Sequence, residues 1–308
     1  MHAPALGWMD VDATLGSRHL GLPSDLYLIT AYCGEGLVCG EVGEECELEV
    51  MVTSLRTRPA RFHSLGQGQL ALALLTPIGA LSVLRTPLAD ITDRRLPLEH
   101  FCGRAEQLRL RGLLMSARTT EQRMHALGGW IESRALGRRS WSRAESRVTQ
   151  AAAVLQQHPG EAPSANGLAS ALAVTRRQLE RDFRKWTGVS LGGYARLVRF
   201  QRAAAAVAEG SPLLNVAMAC GFADQPHLTR TIREFASVTP RELRLDAAKP
   251  GRAAARAALA GRVLTLDIPH ASFGSACPSS GPQGVRDTAS PHWDAPASCA
   301  STTHMAMP

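Results

Sequence analysis

Residues 217–244 read AMACGFADQPHLTRTIREFASVTPRELR, and the rest of the chain is understood outward from this stretch. Residues 169–190, ASALAVTRRQLERDFRKWTGVS, are a weaker copy of it. Arg181-Asp182-Phe183 and Val189-Ser190 lie 49 positions before Arg230-Thr231-Ile232 and Val238-Thr239. A repeat at fixed spacing constrains architecture before any single residue is interpreted. Each copy holds a short helix, a tight turn and a second helix with a basic face, the layout of a helix-turn-helix reader of DNA.

In the first copy Ser164 is an N-cap and Leu168, Ala169 and Leu172 point inward. Ala173-Val174 makes the turn. Thr175 caps the next helix, and Gln178 three positions on completes a capping-box pattern. Leu179 and Phe183 face the core, which leaves Arg176, Arg177, Glu180, Arg181 and Arg184 outside. In the second copy Ser211-Pro212 reads as a cap followed by a first-turn proline. Val216, Ala217 and Cys220 turn inward, Gly221 permits the turn and Phe222 fills the space below it. Asp224 caps a helix whose core stripe is Leu228, Ile232 and Phe235, with Gln225, Thr229, Arg230 and Arg233 outward. Between the copies, 191–209 reads as one connecting helix closed by Gly210, its buried stripe carried by Tyr194, Leu197, Val198, Ala204 and Val207. Such a helix would hold two readers at fixed separation, suited to major-groove segments that repeat every ~34 Å.

The pattern LA-x5-TRRQLERDFRK-x2-GVS, then Y-x-R-x2-R-x3-A, then A-x3-GFADQ-x-HL-x-R and VTPRELR resembles the AraC/XylS family of bacterial transcription regulators over residues 147–245. The resemblance implies base contacts from Arg177, Glu180 and Arg181 in the first reading helix and from Gln225, Thr229 and Arg230 in the second. Arg176, Arg184 and Arg233 would meet phosphates. Ile232 stands where the family usually has an aromatic residue, and Ser237 where it usually has glycine. Residues 53–136, through RTRPARFHSLG, TPIGALSVL and LADITDRRLPLEHFCG, resemble the amino-terminal regions of some of these regulators. Those regions sense small molecules or mediate dimerisation on a cupin-like or related β scaffold.

The expected fold is therefore α+β, a small β-rich unit with helices followed by an all-α domain of two helix-turn-helix units on a linker helix. Residues 1–24 carry Gly, Pro and Asp without periodicity and read as poorly ordered. Residues 25–136 form a sensor or dimerisation domain, with the runs LYLITAYC, LVCGEV, CELEVMVTSL and LALALL as strands. Thr76-Pro77 starts a helix. Two more helices cover 98–116, with Phe101, Leu108, Leu113 and Leu114, and 120–136, with Met124, Leu127 and Ile131. Residues 137–146 are a linker, 147–246 the DNA-binding domain, and 247–308 a disordered tail. A chain of 308 residues accommodates two domains of roughly 150 residues each.

The formal charge of +7 permits nucleic-acid binding. Seven scattered cysteines without an export signal fit reduced thiols in the cytoplasm, and Cys33, Cys39 and Cys46 are spaced too widely for a tight zinc pair. The most apolar run, 70–84, is shorter than the ~20 residues of a membrane span, and Pro77 and Gly79 interrupt it. No metal or cofactor is implied. His63 and His100 read as surface or core histidines. The expected partner is double-stranded DNA, with RNA polymerase, a small-molecule effector and a second copy of the chain as further candidates and no membrane. Two rival readings are a DNA-repair alkyltransferase carrying the same module and a protein-interaction relic that no longer binds DNA. The first needs a nucleophilic Cys in a Pro-Cys-His-Arg context, which none of the seven has, so the chain is read as a non-enzyme.

Overall fold

The computed structural model describes residues 5–33, 38–41, 50–137, 140–161, 163–249 and 265–267, all within the compact unit Met1–His270. Its strands are β1 (Ala5–Gly21), β2 (Tyr27–Cys33), β3 (Val38–Glu41), β4 (Val50–Thr53), β5 (Ala60–Leu75), β6 (Arg95–Pro97) and β7 (Thr265–Asp267). They form one antiparallel sheet in the order β6-β4-β2-β5-β1-β7, with β3 also paired to β5. Leu70, Leu72 and Leu74 alternate with Ala71, Ala73 and Leu75 along β5. The first set clusters with Leu26 and the second joins the main core. This period of two sends successive side chains to opposite faces, and both faces here are apolar. The run 70–84 is split between structures. At Leu75 the strand ends, and the Thr76 hydroxyl accepts from the Gly79 N–H to start α1 (Pro77–Leu84) with proline in its first turn.

Helices α2 (Glu99–Cys102), α3 (Arg104–Ser116) and α4 (Thr120–Leu136) cover the sheet. The single helix expected over 98–116 is broken at Gly103, whose φ is 81°. Its inward residues are Leu110 and Leu114, four apart, whereas Leu108 and Leu113 are exposed. In α4, Leu127, Trp130 and Ile131 are buried. The helical half follows as α5 (Arg143–Gln157), α6 (Ala165–Ala171), α7 (Arg176–Thr187), α8 (Leu191–Ala208), α9 (Leu213–Ala219), α10 (Gln225–Ala236) and α11 (Pro240–Ala247).

Four expectations need correction. Residues 5–21, expected to lack order, form a strand paired along β5 from Ala5 opposite Leu74 to Gly21 opposite Ala60. The polar stretch taken as a linker already contains the start of α5, because Ser142 and Glu145 close a reciprocal capping box. Within the expected tail, 265–267 is a strand on β1; the remainder beyond 249 lies outside the described residues. Ser211 does not cap α9. Pro212 is the N-cap residue and offers no side-chain acceptor, and the Ser211 carbonyl is taken by the Arg244 guanidinium.

The sheet and the first helix-turn-helix share one core. Tyr27, Ile29, Ala73 and Leu81 lie in it with Leu155, Leu168, Leu179, Phe183 and Tyr194. The fully buried Tyr27 hydroxyl donates to the Thr187 carbonyl at 3.0 Å, and burial pushes its phenol above the ordinary range. The Tyr194 hydroxyl donates to the Asp25 carbonyl at 3.3 Å, and Gln201 donates to the Pro23 carbonyl. A second core joins Phe200, Val207, Ala217, Phe222, Leu228, Ile232 and Leu243 to Leu20, Leu22 and Leu266.

Four left-handed residues sit at matching places in the repeat. Ala173 (φ 52°) and Gly221 (φ 70°) are in the two turns, and Gly188 (φ 81°) and Ser237 (φ 56°) follow the two reading helices. A Cβ at Gly188 would collide with the Thr92 side chain and lie 3.1 Å from the Leu88 carbonyl oxygen, beside the 3-10 turn Ala89–Ile91. Ser237 is exposed. Ser237→Gly is therefore expected to stabilise the chain by roughly 0.5–1 kcal/mol through relief of left-handed strain. Gly188→Ala should cost more than ~1 kcal/mol, because it adds both strain and overlap. Urea unfolding of the two variants beside the wild type tests the opposite signs.

Candidate nucleic-acid interface

The first reading helix, α7, is built from its cap upward. The Thr175 hydroxyl accepts from the Gln178 N–H at 3.2 Å. The expected reciprocal bond is absent, because Gln178 Nε2 donates instead to Asp182 Oδ1 at 2.7 Å. Asp182 is buried and also receives Arg147 of α5, Nη2 at 2.5 Å and Nε at 3.2 Å. A buried carboxylate needs donors more than an exposed helix start does, so it claims the amide. Gln178 then presents its oxygen to the Arg181 guanidinium. The relay Arg147–Asp182–Gln178–Arg181 thus restrains one of the outward arginines, a role carried by the i, i+4 spacing of Gln178 and Asp182 that a capping-box pattern does not reveal.

Leu179 and Phe183 are buried, and Arg176, Arg177, Arg181 and Arg184 are exposed on the opposite side. Glu180 is placed differently. It is half-buried and its carboxylate accepts from the Leu191 N–H at 3.3 Å, at the start of α8. Lys185 adds a cation at the end of α7, 5.4 Å from the Trp186 ring centre. The second reading helix starts where the Asp224 carboxylate accepts from the His227 N–H at 2.6 Å, with Pro226 in its first turn. Gln225, Arg230 and Arg233 are exposed, Thr229 is half-buried, and Leu228, Ile232 and Phe235 face inward. Ile232, in the usual aromatic position, is fully buried, while Phe235 stacks on Phe200 of α8 at 5.0 Å.

Other cations near the face are already engaged. Arg196 pairs with Glu234 at 2.7 Å and lies over the Phe235 ring, and Arg199 lies over Phe222 at 5.7 Å. His100 is exposed against the Pro97 carbonyl, and the side chain of His63 lies outside the described residues. Burial pushes up the thiols of Cys33, Cys102 and Cys220, the reverse of the shift an activated nucleophile needs. Among the described residues no helix is long and apolar enough to cross a membrane.

Burial alone would raise the Asp182 carboxyl, but the hydrogen bonds from Arg147 and Gln178 and the charges of Arg147 and Arg181 outweigh it and hold it below the usual carboxylate range. A depressed folded-state value contributes stability that is complete above the unfolded value, 3.8, and disappears as pH falls through the folded one. Asp182→Asn is expected to cost on the order of 2–3 kcal/mol near neutral pH. The gap in melting temperature between variant and wild type should narrow as pH is lowered below about 4. A gap independent of pH would contradict this assignment.

Residues 168–246 match the model of a helix-turn-helix domain family. The HTH-type transcriptional regulator ArgR of Pseudomonas aeruginosa is 31% identical over 97 residues, which is 31% of this chain and 30% of ArgR. Less than a third of that relative is matched. A crystal structure of an AraC-type transcriptional regulator from Chromobacterium violaceum is 31% identical, covering 35% of this chain and 97% of that one with a TM-score of 0.33. ToxT from Vibrio cholerae O395 is 11% identical over 80% of this chain and 98% of that one, with a TM-score of 0.46. Over its tandem repeat the chain thus carries a helix-turn-helix domain similar to those of these transcription regulators.

Proposed function

We propose that the chain is a sequence-specific DNA-binding transcription regulator and not an enzyme. The observation that carries this reading is the pairing of two exposed basic faces, on α7 and α10, at equivalent places of one repeat joined by α8. Arg177, Arg181, Gln225, Thr229 and Arg230 would read base edges, and Arg176, Arg184 and Arg233 would meet phosphates. Glu180 holds the Leu191 N–H through one carboxylate oxygen and would join the base readers through the other or by releasing that bond. Arg230→Ala or Arg181→Ala is expected to weaken binding by about 1–3 kcal/mol and to relax specificity at one position. Arg184→Ala should weaken all sequences alike and lower the salt slope by about 1. Binding titrations with promoter duplexes at several salt concentrations separate the two classes. An unchanged footprint and affinity for Arg230→Ala would remove it from the readers.

The amino-terminal unit is proposed to modulate this reading through the core it shares with the first helix-turn-helix. Tyr27, Tyr194 and Gln201 support this, since each bonds across from one half of the chain to the other. Tyr27→Phe removes the partner of the Thr187 carbonyl at the end of α7 and should cost about 1–2 kcal/mol of stability. It should also shift DNA affinity several-fold; lower stability with unaltered affinity would argue against coupling. A small-molecule effector, a second copy of the chain and RNA polymerase are further proposed partners. An open groove of about 780 Å³ between α3 and α4, lined in part by Leu110, Leu113, His125 and Trp130, offers apolar surface for one of the first two.

A further inference from the structure

Two glycines from different reading units cross backbone to backbone. Gly160 lies in the loop between α5 and α6, at the entrance to the first unit, and Gly221 is the left-handed residue in the turn of the second. A Cβ at Gly160 would sit 2.6 Å from the Ala219 carbonyl oxygen and 3.4 Å from the Gly221 nitrogen. One at Gly221 would collide with the Gly160 carbonyl and lie 3.0 Å from its Cα. A side-chain carbon does not sit so close to a carbonyl oxygen, so Gly221 is glycine because of the Gly160 backbone, and Gly160 because of the Ala219 carbonyl two residues before Gly221. The repeat supplies an internal control. The matching turn of the first unit holds Ala173 in the same left-handed conformation, so the dihedral alone does not require glycine at 221.

The crossing has a mechanical setting. The two cores meet along α8, whose first half is buried in one and second half in the other. Beside α8 stand two left-handed glycines, Gly188 and Gly210. A helix fixes distance, while rotation of a unit about that axis is limited by how the unit packs and by contacts away from the axis. A tie away from that axis resists rotation, and the same loop end carries a second tie, Arg202 Nη2 of α8 to the Gln156 carbonyl at 3.4 Å.

We propose that the Gly160–Gly221 crossing braces the two reading units in rotation, which makes Gly160 a positioning residue that determines which separation of two DNA segments the protein accepts. This rests on the DNA-reading function proposed above. Adding one base pair between two segments moves the second by ~3.4 Å and turns it by ~34°, a change a braced reader rejects and a loosened one follows.

The test uses the full chain and a duplex that the wild type selects from a random pool, with one base pair then inserted or removed between the two protected segments. The wild type is expected to lose about tenfold or more in affinity on either change. Gly160→Ala is expected to bind the parent duplex several-fold more weakly, yet to hold the altered duplexes within about threefold of the parent. Both proteins should bind equally a half-duplex carrying only the segment read by α7, which a general loss of structure would not spare. A spacing preference like that of the wild type overturns the proposal, and so does an equal loss on half and full duplexes. If Gly160→Ala melts below the assay temperature, Pro159→Ala loosens the same loop without adding overlap and carries the same expectations. Failure of the wild type to select any duplex overturns the DNA-reading function itself, and this inference with it.

Discussion

Helix α8 is the member on which the placement of everything in the carboxy-terminal half depends. Its 18 residues change allegiance along their length. Leu191, Tyr194 and Val198 are buried with the sheet and the first reading unit, and Leu197, Phe200, Ala203, Ala204 and Val207 with the second. An unbroken helix of that size is about 27 Å long, comparable with the ~34 Å groove repeat. The run Ala203–Ala206 brings no bulk to the second core, which lets Phe200 and Phe235 supply it. Because both cores grip the same rigid rod, neither reading helix is placed by local propensity alone.

The two copies distribute their glycines in a way that separates dihedral demand from space. At each left-handed position of the repeat, one copy has glycine and the other does not. A Cβ at Gly221 would overlap the Gly160 backbone and one at Gly188 the Thr92 side chain, whereas Ala173 and Ser237 carry theirs in the same left-handed conformation. In both pairs glycine is kept where another part of the chain comes close. A left-handed alanine or serine carries a cost of only ~1 kcal/mol, which a folded domain absorbs, whereas overlap with a neighbouring backbone must be relieved by moving it.

Much of the helical half was legible because its signals are local. Ser164, Thr175 and Asp224 act as the caps their spacing announced, and Leu179, Phe183, Leu228 and Ile232 are the inward stripes that a 3.6-residue period marked. The errors arise where a distant group outbids a local one. Gln178 leaves its capping role for the buried Asp182, Glu180 turns to the start of α8, and Ser211 gives its carbonyl to Arg244. The sheet was legible in β2, β3, β4 and the end of β5, and not in β1. That strand, with glycines and aspartates along its length, is defined by its pairing with β5 rather than by its own pattern. The contacts across the two halves, from Tyr27 to Thr187 and from Thr92 to Gly188, join residues more than ninety positions apart and leave no periodic trace in the sequence.

Strand β7 alters what counts as a boundary in this protein. The family match ends at 246, which invites a cut near that point to isolate the DNA-reading half. Yet the chain comes back at Thr265–Asp267 to lie along His19–Gly21, and Leu266 is buried with Leu20 among residues of the second reading unit. In topological terms the helical module is flanked on both sides by strands of the same sheet, as an inserted segment would be. A truncation guided by the family boundary would thus strip a strand from the sheet and expose Leu20 on the remaining part. The separable piece of this chain is not the piece that the repeat delimits.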